Sequence, residues 1–305
     1  MNEVVSKVIL FIGLILLGYG LKKKGIFKKE DYKILSNIVF IITLPAVLIT
    51  SFQEFIFRPS MIGFAVLGIV MNMLMLIVGR FVGRSRGYAV NGTYMLCCSG
   101  YNISLFVIPF VASFLDVKYL LIVAMFDIGN LIMGLGGSCI LAAGLSKTKA
   151  VISKRELVKK LITNIPFLVY LIMLCMAAMK IKLPAVVYEF TAPIAKANTI
   201  IVMLMIGIIF EFQVRKGQWR DVLTVVLTRY SCAIIILGTL FWFSPLSDMH
   251  SNALKIIAFA PVTTISPILC QRMGYDYELA GKLFSVCIPI SLAGTSLLAL
   301  FSPFI

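Results

Sequence analysis

The chain has 305 residues, of which 60% are hydrophobic and 13% charged, and it carries a formal net charge of +15. Soluble domains carry about 25% charged residues, so this composition excludes an ordinary soluble domain and points to an all-α integral membrane protein whose spans need about 20 apolar residues each. The positive charge sits in short loops between apolar segments, with no basic helix face and no aromatic RNA-binding pattern, which argues against nucleic acid as a partner.

Ten apolar segments read as transmembrane helices. Span 1 covers 4–21 and lacks a small-residue cleavage site, so it reads as a retained span and not a signal peptide. Span 2 covers 32–52 and contains Pro45; span 3 covers 60–82 and ends in a weak GxxxG match, Gly79 to Gly83. Span 4, at 89–115, is interrupted: Gly100 loosens it, Asn102 sets an uncharged amide near its middle, and Pro109 cannot donate to the carbonyl of Leu105. Span 5 covers 118–143 and carries Asp127 and Asn130. Span 6 covers 161–180, with Pro166 near its start, and span 7 covers 186–210, with Pro193 and Lys196. Span 8, at 221–243, has Trp219 and Trp242 at its two ends, where interfacial tryptophans belong. Span 9, at 252–272, is interrupted again, because Pro261 and Pro267 free the carbonyls of Ile257 and Thr263 beside Thr264 and Ser266. Span 10 covers 279–301 and contains Pro289.

Cations collect in alternate loops: Lys22 to Lys33, Arg80 to Arg86, Lys147 to Lys160, Arg215 to Arg220, then Arg272 and Lys282. The positive-inside rule places these loops in the cytoplasm and both termini outside. Pro45 and Pro193, like the breaks of spans 4 and 9, are separated by nearly equal stretches of chain. A five-span unit occurring twice has odd parity, so the second copy enters the membrane inverted. The expected organisation is a first repeat at 1–145, a basic connector at 146–160, and a second, inverted repeat at 161–305, with broken helices 4 and 9 crossing near mid-membrane.

Backbone groups freed in lipid cost several kcal/mol unless they face protein or a wet cavity. Two interrupted segments in corresponding positions therefore point to a carrier's binding site. Half-helix N-termini favour an anionic group there, and unwound carbonyls favour a cation. Asn102, Pro109, Pro261, Thr263 and Thr264 are the candidate substrate-binding residues. Asp127, with Asn130 one turn later, suits proton or cation coupling, or else a buried structural acid paired with Lys196 or Arg229. Lys196 itself could meet an anion or snorkel to the interface. Glu211 and Arg229 read as structural residues near the cytoplasmic interface.

HExxH, GxSxG and P-loop patterns are absent, so enzymatic activity is not expected. The seven cysteines have no metal spacing and read as free buried thiols, and the single histidine, His250, reads as a loop residue. No cofactor or metal is expected.

Several stretches resemble the auxin efflux carrier family, which includes plant PIN carriers and bacterial permeases for malate- or malonate-like acids. They are SNIVFIITLPAVLI (Ser36–Ile49), NISLFVIP (Asn102–Pro109), MFDIGN (Met125–Asn130), APIAKANTIIVMLMIG (Ala192–Gly207) and MGYDYELAGKLFSVCIPISL (Met273–Leu292). The chain departs from the pattern at Val107, Pro267 and Ser296. The resemblance implies a fold similar to sodium/proton antiporters and bile-acid transporters. Spans 1, 2, 6 and 7 would form a scaffold and homodimer interface, and spans 3–5 and 8–10 a moving transport domain. The expected function is secondary active or facilitative transport of small organic anions, carboxylates, across a bacterial plasma membrane by alternating access, with H+ or Na+ as the candidate coupling ions. The alternatives are a sodium/proton antiporter on the same fold, or a membrane sensor without flux.

Overall fold

The computed structural model describes residues 2–54, 57–146, 152–210, 216–243 and 248–301. Glu211 and the loop cations Lys147, Lys149 and Arg215 lie outside the described residues. Among the described residues the elements are all helical, with one isolated antiparallel bridge. Among the described residues seven helices are long and apolar enough to cross a membrane, and an eighth is added when a pair bent by 72° is taken as one span.

The prolines shape the first elements. Helix α1 (Asn2–Lys23) is followed by α2 (Tyr32–Ile38), a π-helical turn (Val39–Thr43) and α3 (Leu44–Ser51), which together form one apolar span. Pro45 cannot donate to the carbonyl of Ile41, and the wide turn just before α3 lets the helix continue past that lost bond. Helix α4 (Ile62–Val82) leads to α5 (Tyr88–Cys98). The same device recurs in the helix Ile103–Phe114, where a π turn (Ile103–Val107) precedes α6 (Ile108–Phe114) and its Pro109. Helix α7 (Val117–Ile132) continues through a third π turn (Met133–Gly137) into α8 (Ser138–Leu145).

The second half comprises α9 (Lys154–Thr163), α10 (Ile165–Ala178), α11 (Ala185–Ile209), α12 (Trp219–Phe243), α13 (Asp248–Ala258), α14 (Ser266–Arg272) and α15 (Tyr277–Phe301). Helices α1, α3, α10 and α11 pack on one another, while α4, α5, α7 and α12 to α15 pack around the two interrupted segments. The α7–α8 span is the central element: 83% of its most apolar stretch is buried, against 11% for α1, whose surface is left for lipid.

Close backbone approach fixes where α7 stands. A Cβ on Gly129 of α7 would strike the carbonyl oxygen of Ala65, and one on Gly68 of α4 would strike that of Phe126. Small residues let two helices meet backbone to backbone without hydrophobic drive, and here they hold Asp127 and Asn130 against α4.

Two expectations are corrected. His250 lies in α13, stacked on Phe64 with ring centroids 5.2 Å apart, not in a loop. All seven cysteines are free, but Cys175 is exposed and Cys232 only half-buried, because α10 and α12 turn those positions outward.

Candidate functional site

The two interrupted segments meet. Between α5 and the helix Ile103–Phe114, residues 99–102 are non-helical, and Gly100 takes φ +70°, a conformation that costs little only for glycine. Between α13 and α14, residues 259–265 are non-helical. Tyr101 and Val262 pair as an antiparallel bridge. The N–H of Asn102 donates to the carbonyl of Pro261 at 3.0 Å, and that of Thr263 donates to the carbonyl of Gly100 at 3.3 Å. Each break thus supplies partners that the other lacks, as apolar surroundings demand.

The carbonyls that the prolines free also have local donors. That of Ile257 accepts from the N–H of Ala260 at 2.9 Å, and that of Thr263 from the N–H of Ser266 at 3.1 Å.

Arg229 of α12 stands beneath this junction. It is buried, and its Nη1 donates to the carbonyls of Cys97 (2.8 Å), Cys98 (2.5 Å) and Ser99 (3.0 Å), while Nη2 donates to that of Ala260 (2.9 Å). Its guanidinium also lies 5.2 Å from the centre of the Tyr101 ring. A full positive charge therefore covers the C-terminal, partially negative end of α5 and the exit of α13. Arg229 is no interface residue: its planar fork reaches both breaks at once, which a point-charge ammonium could not do.

On the other side the segments are held by amides. Asn72 of α4 accepts at Oδ1 from Ser99 Oγ (3.1 Å) and the Gly100 N–H (2.8 Å), and donates from Nδ2 to the carbonyl of Gly68 (2.8 Å) and to Asn130 Oδ1 (3.2 Å). Asn130 accepts from the Tyr101 N–H (3.3 Å) and donates to the Tyr101 carbonyl and to Asp127 Oδ1, both at 2.9 Å. Both amides use both donors and both acceptor positions, a fully satisfied buried network that specifies one geometry. Asp127, wholly buried, accepts at Oδ2 from Ser104 Oγ (2.5 Å) and from the Tyr170 hydroxyl of α10 (3.1 Å). Its partners are neutral donors, so the pairing with Lys196 or Arg229 is corrected: Arg229 is spent on carbonyls and Lys196 is exposed.

A cavity of ≈ 20 Å³, room for about one water molecule, opens beside the junction. Asn102, Thr263, Thr264, Asn130 and Ser104 line it, together with Phe40 of the π turn after α2. Asn102 is 2% exposed, and its Nδ2 has no acceptor among the described residues. Pro109 and Pro261 do not line this cavity. The carbonyl of Pro109 instead accepts from Ser113 Oγ (2.9 Å) and Thr199 Oγ1 (3.5 Å), and Pro261 acts through its carbonyl on Asn102. Near Lys196, Asn198 faces inward and accepts from Thr43 Oγ1 at 2.8 Å.

Of the residues singled out in the sequence, the structure brings Asn102, Thr263, Thr264 and Asn130 together at the cavity, with Asp127 bonded to Asn130, and it adds Asn72, Ser104, Tyr170 and Arg229, which sequence reasoning did not place there. A readable signal existed for Asn72 and Arg229, since each is a costly polar group inside an apolar run. The chain matches no family model and no curated protein.

Proposed function

We propose that the protein is a secondary carrier for small organic anions, carboxylates, working by alternating access, in the manner of the auxin efflux carrier family that its motifs resemble. The observation that carries this reading is the polarity of the junction. Arg229 neutralises the carbonyl ends of α5 and α13, while the starts of the helix Ile103–Phe114 and of α14 face the cavity with the unpaired Asn102 amide donor. A cavity at two helix starts, with one unpaired amide donor beside it, suits a carboxylate without a fixed cation.

In this reading the chain crosses the membrane ten times as two inverted repeats. The broken spans are α5 with Ile103–Phe114 and α13 with α14, and both termini face outward. A cavity of ≈ 20 Å³ is too small for an organic acid, so loading requires α4, α5, α7 and α12 to α15 to move against α1, α3, α10 and α11. Asp127 serves as the proton-coupling group. Its bond to Tyr170 joins the two helix groups and changes character with its protonation.

A second reading is sodium/proton antiport on the same fold, favoured by the buried Asp127 with only neutral partners.

The test is uptake of labelled malate, malonate and an indole acid into proteoliposomes, with and without a proton gradient, by the protein and by Asn102→Ala. Saturable uptake of one acid, with KM raised roughly ten- to a hundred-fold in the variant, is expected for loss of a donor to a charged group. Flat uptake of every acid by folded protein overturns the carrier reading, and unchanged KM in the variant overturns the site.

A further inference from the structure

Helix α9 carries Lys154, Arg155, Lys159 and Lys160 but a single acid, Glu156, and its ten-residue sequence KRELVKKLIT gathers its apolar residues strongly to one side, as that of α13 does, while being more polar than α13. Its orientation is set by four contacts. Ile152, just before it, is fully buried, and Leu157 packs against the core. Both reach the kinked π turn of the central span, where a Cβ on Gly136 would lie 3.0 Å from Ile152 Cγ2 and 3.5 Å from Leu157 Cδ1. Leu161 packs one turn later, and Glu156 pairs with Lys160 at 3.3 Å and with Arg272, at the end of α14, at 3.4 Å.

With that face occupied, the adjoining face, about 100° round the helix, is left open. It presents Val158 (56% exposed) and Ile162 (58% exposed), one turn apart, beside the exposed Lys154, Arg155 and Lys159. Asn164 breaks the helix by accepting from the Phe167 N–H at 2.9 Å, and Pro166 follows, so that α10 leaves at 72° to α9. When α10 stands across a bilayer, α9 lies close to the membrane plane. An apolar pair flanked by cations on a helix in that plane matches an acidic lipid surface in both hydrophobicity and charge.

We propose that α9 is an interfacial helix that docks on anionic phospholipid headgroups of the cytoplasmic leaflet, with Val158 and Ile162 seated at the acyl boundary and Lys154, Arg155 and Lys159 on the phosphates. The inference rests on the membrane placement above and is independent of the substrate.

The test places V158W in a Trp219→Phe, Trp242→Phe background and reconstitutes the full chain in nanodiscs containing brominated phosphatidylglycerol or brominated phosphatidylcholine. The expected result is quenching of the indole by both lipids, with the anionic lipid favoured by at least about five-fold, the value of one basic residue at a surface. That preference closes at about 0.5 M salt and in the K154Q, R155Q, K159Q variant. Equal quenching by the two lipids overturns the headgroup site, and quenching by neither overturns the placement in the membrane surface. Both outcomes are read without transport, so they are separate from failure of the carrier reading.

Discussion

The N–H of Asn102 donates to the carbonyl oxygen of Pro261 at 3.0 Å, across two breaks far apart in sequence. The bond holds the Asn102 backbone; the residue is one of those around the cavity, and its buried Nδ2 has no acceptor among the described residues. A residue whose main chain is spent on structure and whose side chain is not is placed to meet a ligand.

Replacing Asn102 by Asp separates the two transport readings. A carboxylate there would repel a bound anion by about 4 kcal/mol at 4 Å and an effective dielectric near 20. Uptake of organic acids is expected to fall below detection, further than in Asn102→Ala. A cation exchanger would tolerate or gain from the same change, so retained Na+/H+ exchange in Asn102→Asp liposomes would favour antiport.

Arg229 is expected to be the most sensitive structural position of the junction. Arg229→Met leaves the carbonyls of Cys97, Cys98, Ser99 and Ala260 without this donor, and each orphaned buried group costs about 1–3 kcal/mol. Arg229→Lys keeps the charge but reaches only one segment at a time. Thermal unfolding in detergent is expected to rank the melting temperatures as native, then Lys, then Met. Equal melting of all three would contradict the junction role.

Asp127→Asn is close in shape and leaves Ser104, Asn130 and Tyr170 with partners, because hydroxyls rotate to donate or accept. Stability is expected to change by less than about 1 kcal/mol, while dependence of uptake on a proton gradient is lost. Tyr170→Phe is expected to keep the gradient dependence and alter the turnover rate, since it removes the bond between the two helix groups. Gradient dependence that survives Asp127→Asn would remove this residue from coupling.

The approach of α4 to α7 is testable with two alanines on one helix. Gly68→Ala forces a methyl against the Phe126 carbonyl, whereas a Cβ on Gly63 meets nothing within 4 Å. The first is expected to cost about 1–3 kcal/mol, as overpacking does, and to weaken transport by displacing Asp127 and Asn130. The second is expected to be neutral or stabilising by up to about 1 kcal/mol. Melting curves of the two variants check this directly.

Much of the architecture was legible in the chain because the signals are local. Apolar runs, prolines and Gly100 act within a turn or two of themselves, so the helices and both interruptions follow from composition and backbone chemistry. Asp127 and Asn102 were legible as polar groups too costly to be incidental in lipid. The partners of Asp127 were not legible. Opposite charges invited a pairing with Lys196 or Arg229, yet neutral hydroxyls and an amide surround the acid.

The sequence by itself led to an all-helical chain of apolar spans, ten by its count, and to the positions where two of them break; among the described residues seven or eight helices are long and apolar enough to cross a membrane. Only the tertiary structure decided that the breaks pair through Tyr101 and Val262, that Arg229 serves backbone carbonyls and not an acid, and that Asn72 and Asn130 hold the junction. The physical reason is that hydrogen-bond satisfaction in an apolar interior is a global constraint. A donor freed at one break is assigned to whichever acceptor the fold brings within about 3 Å, and that assignment is made between helices, not within them.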